Sequence, residues 1–178
     1  LIVENAHHII SSEPLQKGGR TDDFFFLESD GDAARKLVCD LVTTRLPRSY
    51  GFDPIRDIQV LCPTKLGPTG TQALNVELQN LLNPEQKGKP QLQSASRVFR
   101  VGDKVMQVRN NYEIVWNRIG GEQGVGAYNG DIGIVESINP RDRSMVVRMD
   151  DRRLIYPAEN LGELEIAYAI TVHKSQGS

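Results

Sequence analysis

Cysteine is nearly absent: 178 residues hold only Cys39 and Cys62, with no C-x-x-C spacing. That excludes a disulfide framework and a thiolate zinc ribbon, and both read as small buried residues of a reduced, cytosolic protein. Long apolar runs are missing too. Stretches such as FFFL at 24–27 fall far short of the roughly 20 residues a membrane helix needs, and no signal peptide is visible. Neither sign of charge dominates, since 21 Lys and Arg stand against 23 Asp and Glu for a net −2. No global positive field marks a nucleic-acid partner, so any such binding has to be local. Enzyme signatures are lacking as well. There is no G-x-x-x-x-G-K-[ST] loop, no H-E-x-x-H, no Cys/His cluster and no G-x-S-x-G, and GPTGTQ at 67–72 lacks the lysine and spacing of a Walker loop. The acidic pairs Asp22–Asp23 and Asp150–Asp151 sit in turn-like contexts and read as solvated.

What is present is a change of pattern along the chain. LIVENAHHII at 1–10 suits a short amphipathic helix, on which adjacent His7 and His8 point about 100° apart and cannot share a metal. QKGGRTDD reads as a loop, and FFFLES at 24–29 as a buried strand. DGDAARKLVCDLVTTRL carries Ala34, Leu37, Val38, Leu41, Val42 and Leu46 on one helical face, with Asp32 as N-cap and Pro47 as the stop. DIQVLCPT is a short strand over Ile58–Leu61, ended by Pro63, and QALNVELQNLLNP returns to helical spacing through Leu74, Leu78, Leu81 and Leu82. Strand, helix, strand, helix predicts a parallel sheet covered by helices.

From Lys87 the segments are short and β-rich: VFRVGDKVMQVRNN, NGDIGIVESINP, SMVVRMDD and RRLIYP. PRDR and DD sit where tight hairpins belong, and Gly133 inside a strand predicts a bulge or a close backbone approach. The G-D-x-G-x-V pattern suits a small SH3-like barrel. NYEIVWNRIGGEQGVGAYNG reads as a long, glycine-rich mobile loop within it. GELEIAYAITVHKSQGS then supplies an apolar strand able to rejoin the first sheet. The organisation expected is an α/β domain over 1–90, a barrel insertion over 91–162, and a return over 163–178. A start on Leu1 makes the chain look like a piece of something larger.

Two polar constellations lie at strand ends. In CPTKLGPTG, Thr64, Lys65, Gly67 and Gly70 have the chemistry to cradle a phosphate, or else serve only a tight strand-to-helix connection. In AYAITVHKSQGS, a strand ending near Ala167 would put Thr171, Lys174 and Ser175 on one helical face, suited to a run of phosphates or simply to solvent. Trp116, Tyr112 and Tyr128 around the glycine-rich loop can stack bases or anchor the loop, and anchoring is the commoner habit of aromatics. Arg141, Arg143, Arg152 and Arg153 have aspartate neighbours and are expected on hairpin tips in water.

AYAITVHKSQGS, with DIQVLCPTKLGPTGTQALN and the G-D-K-V-M-Q element upstream, resembles superfamily 1 DNA helicases of the RecD-like branch, and the resemblance covers nearly the whole chain. It implies a RecA-like second motor domain carrying an SH3-like insertion, working in ATP-driven 5′-to-3′ translocation on single-stranded DNA in repair and recombination. On it, Pro63, Thr64, Lys65, Gly67, Gly70, Thr171, His173, Lys174 and Ser175 grip DNA, while His173, Gln176 and Gly177 link the grip to the ATP cleft. Arg97, Arg100, Lys104 and Arg109 are the candidate wall beside the strand. ATP and Mg²⁺ belong to the full enzyme. The Walker loop would lie in a first motor domain and the transition-state arginines outside 1–178, so the fragment alone binds no cofactor and is expected to be inactive. The partners implied are single-stranded DNA, that first motor domain and recombination or repair proteins, with no membrane. The rival is a non-catalytic nucleic-acid-binding adaptor built on the barrel.

Overall fold

The structure, a computed structural model, describes residues 1–19, 22–118 and 120–176. Helix α1 (Ile2–Ile10) forms as its spacing predicts, yet its buried residue is Asn5 and its isoleucines 2, 9 and 10 are exposed. The Asn5 side chain donates to Gln16 O at 3.0 Å and accepts from Gln16 N at 2.8 Å, folding the following segment back. FFFLES is not a strand. Residues 24–29 have no regular structure, and Phe25, Phe26 and Leu27 stand about half exposed. A strand needs a neighbour to take its backbone N–H and C=O groups, and no described strand pairs with this one.

Helix α2 (Gly31–Asp40) starts after Asp30, not Asp32; Asp32 lies in the first turn and pairs with Arg35 at 3.0 Å. Nor does Pro47 stop the run. The helix widens into a π-turn over Leu41–Arg45 and continues as α3 (Leu46–Tyr50), with Pro47 in its first turn. A proline ring clashes with the carbonyl four residues back, and a widened turn relieves that clash. Gly51, at φ 73°, closes the helix in the left-handed conformation.

Strand β1 (Val60–Cys62) leads into α4 (Thr71–Leu82), which buries Leu74 and Leu78, half-buries Leu82 and turns Leu81 to solvent. There follow β2 (Gln91–Ser94), β3 (Arg97–Arg100), β4 (Lys104–Gln107), β5 (Asn111–Arg118), β6 (Gln123–Ala127), β7 (Ile132–Asn139), β8 (Ser144–Met149) and β9 (Arg152–Tyr156). A 3₁₀ turn (Ala158–Glu163), β10 (Leu164–Ile166), β11 (Ala169–Thr171) and α5 (Val172–Ser175) complete the described chain.

β2 and β3 form a hairpin, and seven strands join in the order β10-β4-β7-β8-β9-β5-β6, every pair antiparallel. Parallel pairing among the described residues is confined to β1 with β11, so the helix-covered parallel sheet expected from the pattern is present only as this pair. Phe99, Val105, Val147, Leu154, Tyr156 and Leu164 are the fully buried centre of the antiparallel half. Leu74, Leu78, Val42, Cys39, Cys62 and Tyr168 form a second cluster under α2 and α4. Burial raises the Cys39 thiol to about 11, leaving it an inert packing residue.

Gly133 shows the close approach its position predicts: a Cβ there would sit 2.6 Å from Arg148 O. The glycine-rich stretch is not a loop but the β5–β6 hairpin. Gly124 lets the Trp116 ring lie against the backbone, where a Cβ would come within 2.3 Å of it. Among the described residues no helix is long and apolar enough to cross a membrane.

Candidate nucleic-acid interface

Because β1 and β11 run parallel with Cys62 opposite Thr171, both chains leave the sheet at the same end. Pro63, Thr64 and Lys65 therefore emerge beside Thr171 and α5. The strand runs on to Thr171 rather than stopping near Ala167, so Thr171 is not on a helical face. It caps α5, its hydroxyl oxygen accepting from Lys174 N at 3.3 Å. Acting as acceptor, that hydroxyl keeps its own proton to donate. His173 and Gln176 are exposed, Lys174 and Ser175 half-buried, and Gly177 lies outside the described residues. Asn75 on α4 pins the approach to this end. Its side-chain amide donates to Ile166 O at 2.9 Å and Ala169 O at 2.8 Å and accepts from Ala169 N at 2.8 Å.

The glycine turn is spent on itself. Gly70 N donates to Gly67 O, Thr71 N to Thr64 O and Gln72 N to Lys65 O. Gly67 takes φ 90°, and a Cβ on Gly70 would meet Leu66 O at 2.5 Å. These three N–H groups are satisfied within the turn, which favours the tight strand-to-helix connection over a backbone phosphate cradle. The Thr64 hydroxyl spends its proton on Leu66 O at 2.9 Å, which leaves Lys65 as the exposed cation of the turn.

A small cavity at this end is lined by Lys65, Thr71, Asn75, Thr171 and Lys174. It shares Lys65, Thr71 and Asn75 with a larger cleft of about 540 Å³ between α4 and β3, onto which Gln72, Asn80, Arg97 and Arg100 also open. Arg97 pairs with Glu165 at 3.2 Å. Arg100 is buried and donates to Asn83 O at 3.0 Å, and its Nε has no hydrogen-bond partner among the described residues. The other two residues of the expected wall lie elsewhere. Lys104 is buried and its Nζ donates to Ile58 O at 3.1 Å; burial lowers its pKa, while Asp53 and Asp57 pull the other way. Arg109 holds Glu163 at 2.7 Å. Arg141 and Arg143 lie exposed in the β7–β8 turn, whereas Arg152 and Arg153 are strand residues beside the Asp150–Asp151 turn. They lie on β9, paired with Asp131 at 3.3 Å and Glu136 at 2.6 Å.

Sequence reasoning missed two buried carboxylates. Asp103 accepts from Asn83 Nδ2 (2.6 Å), Gln79 Nε2 (2.6 Å), Arg100 N (2.7 Å) and Tyr168 Oη (2.9 Å). It thus joins α4, the β3–β4 turn and the residue leading into β11. Burial pushes its carboxyl up, and the four donated bonds pull it down. Glu163 sits in the second hub. Burial alone would raise its carboxyl, but bonds from Asn160, Asn111, Arg109 and Gln107 hold it down at about 2. The signal available was a charged residue inside an apolar strand pattern, in G-D-K-V-M-Q, and before one, in GELEI.

The chain is similar in sequence to known proteins. Residues 74–149, from within α4 to the end of β8, match the family described as the ATP-dependent RecD-like DNA helicase SH3 domain. Together with its relatives, this match shows that the chain belongs to the RecD-like DNA helicase family. It is 30% identical over 177 residues, 99% of its length, to the ATP-dependent RecD2 DNA helicase of Deinococcus radiodurans. Over 120 residues it is 28% identical to the RecBCD enzyme subunit RecD of Mycolicibacterium smegmatis and 30% identical to that of Mycobacterium tuberculosis, covering 67% of the chain in each case. The chain spans 21% of the first relative and 18% of each of the other two.

Proposed function

We propose that the chain is the second motor domain of an ATP-dependent 5′-to-3′ DNA helicase and that its part is to hold single-stranded DNA by its phosphates. On this reading 1–90 and 163–178 make a RecA-like half, and 91–162 is its SH3-like insertion. The observation that carries it is the parallel register of Cys62 with Thr171, which sets two polar strand ends side by side. Lys65, Thr171 and Lys174 converge on one cavity there, and the cleft with Arg97 and Arg100 continues from it. Several donors and cations along a groove suit a run of phosphates, which position a strand without reading its sequence. A grip that has to release at every step gains from that indifference.

ATP and Mg²⁺ would be held mainly by a first motor domain. The likeness to a relative described as an ATP-dependent DNA helicase supports that requirement, and recombination or repair proteins are the partners the reading implies. The test is a titration of labelled single-stranded DNA at low and high salt, with wild type and with Lys65→Ala/Lys174→Ala. Affinity should fall steeply with salt, and the double variant should flatten the slope by about two. Salt-indifferent binding, or strong preference for one sequence, sinks the grip.

A further inference from the structure

The two tyrosines at the open end of the β5–β6 hairpin are the most conspicuous feature this function leaves unused. Tyr112 is 65% exposed and Tyr128 46% exposed, with ring centroids 6.1 Å apart at 74°. Aromatic rings normally bury, and Trp116 on the same hairpin is half-buried: it packs on Gly124 and has the Arg118 guanidinium 5.2 Å above its ring. The tyrosine pair stands in solvent, yet it is held. Tyr128 N donates to Asp131 Oδ2 at 3.1 Å, and the ring lies over Gly126, where a Cβ would come within 3.1 Å of Tyr128 Oη. Asn129 N donates to Asn110 Oδ1 at 2.8 Å, and Asn110 Nδ2 reaches Tyr112 Oη at 3.3 Å. Asn111, next to Tyr112, is fastened to both Glu163 oxygens.

The pair is also tied to the grip. Lys174 Nζ donates to Asn129 Oδ1 at 3.0 Å and to Val108 O at 3.3 Å, so the cation of the terminal turn rests on the residue that follows Tyr128. We propose that Tyr112 and Tyr128 are a stacking platform for a base of the strand whose phosphate lies at Thr171 and Lys174. This rests on the phosphate-grip reading above and adds to it where a base goes. An edge-on pair leaves a ring face open, and stacking on it accepts any base, as a moving motor requires. Rings already fixed by Gly126, Asn110 and Asp131 lose little freedom when a base settles on them.

The experiment compares two labelled strands of equal length, oligo-dT and an abasic sugar–phosphate polymer, bound to the 178-residue chain at low salt. Wild type should prefer oligo-dT. Tyr112→Ala/Tyr128→Ala should weaken oligo-dT by about tenfold and leave the abasic strand unchanged, while Tyr112→Phe/Tyr128→Phe should keep wild-type preference. Equal affinity for both strands in wild type, or an unchanged preference in the alanine pair, overturns the platform. So does equal loss on both strands with an unchanged melting curve. Should the double variant melt early, Tyr112→Ala alone decides, since its side chain stands in water: a selective loss on oligo-dT supports the platform and none refutes it. Failure of the grip reads differently, as abasic binding that ignores both salt and Lys174→Ala.

Discussion

Phe99 in the antiparallel half is fully buried, whereas Phe25 and Phe26 in the α/β half stand about half exposed, and Ile2, Val3, Ile9 and Ile10 of α1 are exposed too. The antiparallel half closes its own core through hairpins whose strands are neighbours in sequence. The α/β half rests on one parallel pair joined across more than a hundred residues, and parallel strands need cover on both faces. The exposed apolar residues therefore gather in the N-terminal segment of the chain, away from the antiparallel core. The strand ends of the candidate grip rest instead on a second buried cluster, with Leu74, Leu78, Cys62 and Ala169 beneath them.

The sharpest way to break this comparison is to truncate one phenylalanine in each half. Phe99→Ala should cost about 3–5 kcal/mol, and Phe26→Ala about 0.5 kcal/mol or less, measured by urea unfolding. Equal losses would mean that the α/β half is packed far more tightly than its exposure indicates. Glu163→Gln comes next. It replaces an acceptor of four donors by a group that is half donor, and should cost about 2 kcal/mol. The sign of the matching pH effect follows from a carboxyl held at about 2 against an ordinary 4.5. On acidification the unfolded chain takes up this proton first, so the stabilisation is full above pH 4.5 and drains away towards pH 2. Acid titration of wild type against Glu163→Gln, followed by circular dichroism, checks it: the variant should lose less over that window.

A smaller effect is expected at the seam between the halves. Tyr168→Phe removes one of four donors to Asp103 and should cost about 1 kcal/mol. If Asp103 fastens the terminal strand as its bonds indicate, hydrogen exchange at Ala169 and Ile170 should quicken in this variant while the β7–β8 hairpin stays protected. The smallest effect is at Lys65→Ala, an exposed side chain. It should leave stability within about 0.5 kcal/mol and lower the salt slope of DNA binding by about one.

Much of this architecture was legible in the residues, for reasons that can be named. The hairpins of β7, β8 and β9 show alternation and turn residues at PRDR and DD, and α4 shows leucines at helical spacing. Both are local signals. FFFLES has the local signal too, but a strand also needs a partner, which its own composition cannot supply. The β5–β6 hairpin failed the other way: its glycines look like loop residues, yet Gly124 is there to admit Trp116. That Pro63 and the polar run after Thr171 stand at strand ends was legible because each is a contiguous motif. Lys104 was misplaced because its burial is decided by a partner 46 residues away. Asp103 was invisible for the same reason, its ligands coming from Gln79, Asn83 and Tyr168.

The pairing of Val60 with Ala169 has a consequence for how this polypeptide is born. At ordinary ribosomal speeds of about 5–20 residues per second, β1 emerges several seconds before its partner exists. In that interval the antiparallel strands can fold, and Arg97, by reaching Leu164 O and Glu165, draws the two legs of the excursion together. The long gap is thus bridged by a finished object rather than by loose chain, which lightens the entropy of joining its ends. A translational pause before Ala169 should therefore be harmless, whereas a mutation that slows the hairpins should leave β1 without its mate when synthesis passes Thr171.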